Sequence, residues 1–193
     1  MENVDRILKS QTLPKALSLF KENGYGLSQV VLDASLCGVP QKRKRFFLIG
    51  HKNDMNDFLT ASLYSDLSAE STTIRNYLGD EFKTDFYYRH PRSYARRGIF
   101  SIDEPSPTVR GVNRQIPPGY TIHSNDATDD ISKVRPLTTL ERARIQTFPK
   151  SFHFSGNKTD LEQMIGNAVP IDLAKYVAEH LLKYIQNPVD AQI

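Results

Sequence analysis

A single cysteine, Cys37, stands in 193 residues. That count excludes a disulfide framework and a cysteine-based zinc site, and no metal centre is expected. No apolar run approaches the roughly 20 residues that span a bilayer. Met1-Glu2-Asn3-Val4-Asp5-Arg6 does not read as a signal peptide. The expected compartment is cytoplasmic, with no membrane partner. There is no internal repeat and no low-complexity tract. Hydrophobic residues make up 39% of the chain and charged residues 24%, which is ordinary for a globular protein. The net charge of +3 permits an anionic partner without requiring one.

What is present centres on Gly38-Val39-Pro40-Gln41-Lys42-Arg43-Lys44-Arg45 and the apolar run at 46–49. A proline-braced turn leads into a cluster of cations, and a strand then enters a core. Such a stretch holds arginines rigidly at the mouth of a site, where a solvated basic loop would need neither the proline nor the strand. Upstream, Thr12-Leu13-Pro14 reads as a helix start with Thr12 as N-cap, and Gly24 as the stop. Residues 27–34 and 45–51 read as two strands of a hairpin with a long functional loop between them. Residues 53–71 read as one helix, and 72–78 as a short second one.

From Gly79 the pattern changes. Residues 80–134 are rich in proline, tyrosine and arginine with little periodicity, and are expected to form strands and loops. Arg89, Arg92, Arg96, Arg97, Arg110 and Arg114 crowd together there, with only Asp103 and Glu104 between them. Tyr87, Tyr88, Tyr94 and Phe100 are interleaved. Arginine pairs bidentately with phosphate and with a guanine edge, so the cluster suits a DNA groove. Thr138 through Glu141 is a capping box opening a helix to about Thr147. Pro170 sits at the first turn of a final helix. Its apolar stripe is Ile171, Ala174, Val177, Ala178, Leu181, Leu182 and Ile185.

Four of these pieces together resemble one family. Glu2-Asn3-Val4 is similar to the Glu-Asn-Val motif of DNA (cytosine-5) methyltransferases, and Gln41-Lys42-Arg43-Lys44-Arg45 to their Gln-x-Arg-x-Arg motif. Arg135-Pro136-Leu137-Thr138 with Glu141, Arg144, Gln146, Phe148 and Pro149 resembles the ninth motif. Gly166-Asn167-Ala168-Val169-Pro170 resembles the tenth. The family's glycine-rich Phe-x-Gly-x-Gly loop and Pro-Cys dipeptide are absent from this sequence, and Cys37 is not where the family keeps its nucleophile. The resemblance is thus to the C-terminal half of such an enzyme, from inside the sixth motif onward.

The resemblance implies an α/β fold: the C-terminal portion of a Rossmann-like S-adenosylmethionine-dependent domain, with a small, mostly irregular or β target-recognition domain. Residues 1–79 would belong to the catalytic domain. Residues 80–160 would recognise DNA, and 161–193 would return to the catalytic domain. By the same resemblance Glu2 faces N3 of a flipped cytosine while Asn3 braces its loop. Arg45 contacts the base O2, and Arg43 lies near the catalytic loop and the phosphate backbone. Gln41 stabilises the turn, and Lys42 and Lys44 face solvent. Thr108 contacts backbone beside the flipped base. Asn167, which also reads as an N-cap, and the Ala168 amide contribute to the S-adenosylmethionine pocket.

The expected function is therefore part of a DNA (cytosine-5) methyltransferase of a restriction-modification system. It would act on double-stranded DNA, with a complementary N-terminal half supplying the nucleophile and most of the cofactor site. Without that half the chain is expected to be inactive. The alternative is a truncated or decayed, non-catalytic DNA-binding remnant.

Overall fold

Apolar residues fall on both faces of the 25–52 hairpin, as a sheet covered on both sides requires. In the computed structural model, which describes residues 1–93 and 95–187, this hairpin is the centre of an α/β fold. Tyr94 lies outside the described residues. Strand β1 (Glu2–Val4) is followed by helix α1 (Thr12–Glu22) and strand β2 (Tyr25–Asp33). Strands β3 (Gln41–Lys42) and β4 (Lys44–Lys52) follow the turn. β2 and β4 pair antiparallel over their whole length, from Tyr25 opposite Lys52 to Asp33 opposite Lys44. β1 adds antiparallel to the other side of β4, giving the order β1-β4-β2.

The two faces are covered separately. Leu27, Phe46 and Leu48 pack with Leu13 and Leu17 of α1. Val30, Leu32 and Phe47 pack on the opposite face with Leu59, Leu63, Leu173 and Val177. These last four come from or beside helices α2 (Thr60–Ser65) and, far along the chain, the final helix.

Two helix expectations are corrected here. The N-cap of α1 is Gln11, not Thr12, and neither side chain caps the helix; the Ser10 hydroxyl accepts from Leu13 N–H at 3.2 Å instead. The stretch 53–71 holds only α2. Asn53 and Asp57 adopt positive φ (62° and 61°), which stops a helix, and the chain between them crosses the start of β2. Leu27 N–H donates to Asn56 Oδ1 at 3.1 Å, and Asp57 N–H to the Leu27 carbonyl at 3.0 Å. A Cβ on Gly26 would lie 2.2 Å from the Met55 carbonyl oxygen, so glycine is what permits the crossing.

Helix α3 (Ile74–Leu78) is capped by Thr73, whose side chain accepts from Asn76 N–H. Strands β5 (Phe86–Tyr88), β6 (Ile99–Ser101), β7 (Ser106–Pro107) and β8 (Val134–Pro136) then make two small sheets. One has the order β6-β5-β8; in the other, β3 pairs parallel with β7. Tyr87, Tyr88 and Phe100 are buried in this region and belong to its cores. One core runs from Ile74, Leu78 and Phe82 through Tyr87, Phe100 and Ile102 to Ile145, Phe148 and Ile165. It therefore draws on residues either side of 80–160.

Helix α4 (Thr139–Ile145) opens with the expected capping box of Thr138 and Glu141. Arg135 reinforces it with paired bonds to the Glu141 carboxylate at 2.8 and 2.6 Å. Helix α5 (Lys158–Asn167) was not expected; Asn157 caps it by accepting from Asp160 N–H at 3.0 Å. Pro170 precedes α6 (Ile171–Gln186) as its N-cap, so Asn167 does not take that place. The buried face of α6 is Leu173, Val177 and His180, rotated from the stripe read in the sequence. His180 fills a core slot by bonding the Tyr176 carbonyl and Asp66. Ile171, Leu182 and Ile185 are exposed at 36, 53 and 60%. No helix among the described residues is long and apolar enough to cross a membrane.

Thr138→Ala removes the hydroxyl half of the capping box but leaves Glu141 held by Arg135. A loss of about 1 kcal/mol is expected by denaturant titration, with unchanged slope.

Candidate functional site

Pro40 and the β3–β7 pairing bring the basic stretch against residues 106–110, and a buried polar junction fixes the contact. Gln41 is fully buried. Its Nε2 donates to Gln146 Oε1 at 2.8 Å, and its Oε1 accepts from Val109 N–H at 2.8 Å. Gln146 Nε2 in turn donates to the Ile165 carbonyl at 2.5 Å and to that of Ala168 at 3.3 Å. Arg43, 2% exposed, donates to Val109 O at 2.9 Å and to Gly166 O and Ala168 O at 3.0 Å each. Gly111 and Gly166 meet beside it: a Cβ on Gly166 would lie 2.2 Å from Gly111 N.

A cleft of about 1400 Å³ opens above this junction. Its walls bring together Glu2, Arg43 and Arg45 with Arg89, Arg92, Arg96 and Arg97. Thr108, Arg110 and Asn167 complete the set, so residues from four distant parts of the chain share one space. Arg114 and Ala168 do not line it. Ten cationic side chains face four carboxylates around the cleft. Such an imbalance in a concave surface attracts polyanions.

Within the cleft the cations divide into two groups. Arg45 pairs with Glu2 at 2.8 Å across the β1–β4 ladder and donates to the Lys44 carbonyl at 2.8 Å. Burial pulls its proton affinity down, and Glu2 opposes that. Arg97 pairs with Glu104 and lies 4.1 Å from the centre of the Phe100 ring. Arg110 donates to the His90 carbonyl, and Arg89 to that of Thr108 at 2.9 Å. Arg89 is pushed down to about 10, first by burial and then by Arg110, but remains a cation at neutral pH. Arg92 and Arg96 are exposed and form no ion pair among the described residues. Lys42 and Lys44 are exposed, as expected.

Several residues singled out in the sequence have defined partners. Arg43, expected near a catalytic loop and phosphate, is buried and donates through both terminal nitrogens to backbone carbonyls. The Thr108 hydroxyl donates to Lys42 O at 2.9 Å. The Ala168 amide, expected to face a cofactor, closes helix α5 by donating to Met164 O at 3.1 Å. Asn167 is exposed at the cleft. Sequence reasoning missed the buried Arg142–Glu162 ion pair between α4 and α5. Asn113 Nδ2 and Thr139 Oγ1 also donate to Glu162, and Arg142 donates to the Arg110 carbonyl. The only signal for it was a charged residue at an apolar position of each helix. No group of three or more metal-ligating side chains occurs among the described residues.

A family model for the C-5 cytosine-specific DNA methylase matches residues 1–183. The chain is 58% identical over 190 residues to the type II methyltransferase M.HindV of Haemophilus influenzae, covering 98% of this chain and 62% of that protein. It is 54% identical over 188 residues to the type II methyltransferase M.HgiDI of Herpetosiphon aurantiacus, covering 97% and 60%. The chain thus spans about six tenths of the length of these relatives. Among solved structures, the S. pombe Dnmt2 methyltransferase superposes with a TM-score of 0.63 at 17% identity, over 96% of this chain and 66% of that one. The Entamoeba histolytica methyltransferase EhMeth gives 0.61 at 16%, over 95% and 62%. At such identity the likeness is one of fold.

Gly166→Ala forces two backbones apart and should cost about 3 kcal/mol or more. Gly38→Ala, at φ 80° with open space around it, should cost about 1 kcal/mol in the same melts. Cys37 is buried, and that burial, then Asp33, pushes its thiol up to about 12. Native protein should resist alkylation at pH 8 and react on unfolding. The neutral thiol stabilises the fold below about pH 8.5, where an unfolded cysteine begins to ionise. That contribution should fade as pH rises toward 12, and Cys37→Ala should flatten this part of the stability profile.

Proposed function

The chain belongs to the C-5 cytosine-specific DNA methylase family, and on that footing we propose that it forms the DNA-recognising part of a type II cytosine-5 methyltransferase. The observation that carries this reading is the shared cleft. It sets the Glu2–Arg45 pair, 2.8 Å apart, beside a wall of arginines in which Arg92 and Arg96 are exposed and have no acidic partner among the described residues.

Carbon 5 of cytosine becomes nucleophilic once a thiolate adds at C6, and the negative charge then spreads to N3 and O2. Glu2 holds a proton at N3 in this scheme, and Arg45 donates to O2, where a fixed guanidinium offsets the developing charge. Their mutual contact keeps both on one base edge. A base reaches such a site only when turned out of the duplex. Arg92, Arg96 and Arg114 would hold phosphates, being exposed, while Arg89, Arg97, Arg110 and Thr108 shape the wall that faces DNA. Residues 80–160 carry recognition in this assignment. Residues 1–79 carry the acid and the O2 contact, and 161–193 close the cleft.

S-adenosylmethionine supplies the electrophilic methyl group when bound. Of the two residues expected to meet it, Asn167 is exposed at the cleft, whereas the Ala168 amide is engaged within the helix end. One exposed amide does not make a nucleoside site. A complement carrying the cysteine nucleophile and the glycine-rich loop would supply the rest, in a separate polypeptide or a longer one. The free edge of β1 and the exposed Ile171, Leu182 and Ile185 of α6 are the surfaces it would cover.

The chain alone should leave DNA unmethylated, and calorimetric titration with S-adenosylmethionine should give no micromolar binding. Co-expression with the part of an M.HindV-like relative that this chain does not span should protect cytosines from bisulfite conversion. Unmodified cytosines with both pieces folded would reduce the chain to a DNA-binding remnant. The chain by itself should bind duplex DNA with an affinity that falls steeply with salt. Arg92→Ala should lower the slope of log K against log salt by about 0.9, the share of one phosphate contact.

A further inference from the structure

The Arg43 guanidinium lies between two loops that both form walls of the cleft. On one side is Val109, flanked by Thr108 and Arg110; on the other are Gly166 and Ala168, flanking Asn167. The Gly166 side is the C-terminus of α5, where unpaired carbonyls and the helix dipole favour a cation. Arg43 has no carboxylate partner among the described residues in ion-pair range. Burial, then Arg45, lowers its proton affinity, and Glu2 opposes them. Its charge is therefore met chiefly by three carbonyl dipoles, two from one loop and one from the other. The Gly111–Gly166 contact presses the same two segments together, so neither can shift without breaking these bonds.

We propose that Arg43 is a positioning residue that makes the DNA-facing loop 108–111 and the loop 166–168 one mechanical unit, so that duplex binding on the first orders the second. This rests on the assignment of the cleft to DNA and gives that site a regulation: target engagement prepares the segment that carries Asn167. Lysine keeps the charge, but its three N–H bonds radiate from one nitrogen and lack the breadth of a guanidinium that spans carbonyls on both sides. Methionine removes the charge and both terminal donors while keeping an unbranched apolar stem.

The test is amide hydrogen exchange on the whole chain, with and without a mixed-sequence synthetic duplex at low salt. In the wild type, the duplex should slow exchange at both 108–111 and 164–169. In Arg43→Lys the slowing at 164–169 should fall about tenfold while that at 108–111 persists. Ile74→Val, a destabilising change in the buried core, should retain both effects. Arg43→Met should weaken duplex binding with an unchanged salt slope. A slope lowered by about one would make Arg43 a phosphate contact and overturn the proposal. So would a response at 164–169 that survives in Arg43→Lys, is lost equally in Ile74→Val, or is absent from duplex-bound wild type. Failure of the wild type to bind duplex at all would sink the DNA assignment instead. The joint is then judged without DNA: Arg43→Lys must speed exchange in both segments together, and speeding in only one refutes it.

Discussion

Three buried side chains, Gln41, Arg43 and Gln146, tie together four stretches of chain that lie far apart in sequence. Each satisfies backbone groups that no helix or strand reaches: the Val109 amide and the carbonyls of Val109, Ile165, Gly166 and Ala168. Burying a guanidinium is expensive, and the site tolerates it because the carbonyls converge on it and a helix C-terminus adds to their field. An apolar replacement would leave those groups unpaired in the interior, at about 1–3 kcal/mol each. The cleft above the junction inherits its shape from this constraint.

The electrostatics of the cleft follow from the same division of labour. Arginines of one kind are consumed by the protein: Arg43 by carbonyls, Arg142 by Glu162 and Arg97 by Glu104. Those of the other kind, Arg92 and Arg96, are exposed without ion-pair partners among the described residues. The first kind holds the second in place. A count of arginines in the sequence merges the two, although only the exposed ones have N–H groups placed to touch a polyanion.

Much of the fold was legible because it rests on local chemistry. The Thr138–Glu141 box, the β2–β4 hairpin and the stop at Gly24 each follow from patterns within a few residues. The misreadings arose where distant packing overrode local preference. Residues 53–59 look helical in apolar spacing, but Gly26 lets their backbone cross β2, and two left-handed residues make the crossing. The buried face of α6 includes His180, which no apolar stripe would count, because Asp66 and the Tyr176 carbonyl satisfy it. At the site, the identities of Glu2, Arg45, Thr108 and Asn167 as cleft residues were readable from their motifs. The structural commitment of Arg43 was not, since its partners are backbone atoms 66 to 125 positions away.

Strand β1 is three residues long and has one neighbour in its sheet. Its register rests on the ladder to β4, with Glu2 opposite Phe47 and Val4 opposite Arg45. In a strand, sliding by a single residue exchanges the two faces. Such a slip would turn the Glu2 carboxylate toward the α1 side of the sheet and leave Asn3 or Met1 to face Arg45. The acid of the cleft is thus a property of alignment as much as of composition. A contact on the outer edge of β1 would act as a ruler, setting which side chain faces Arg45.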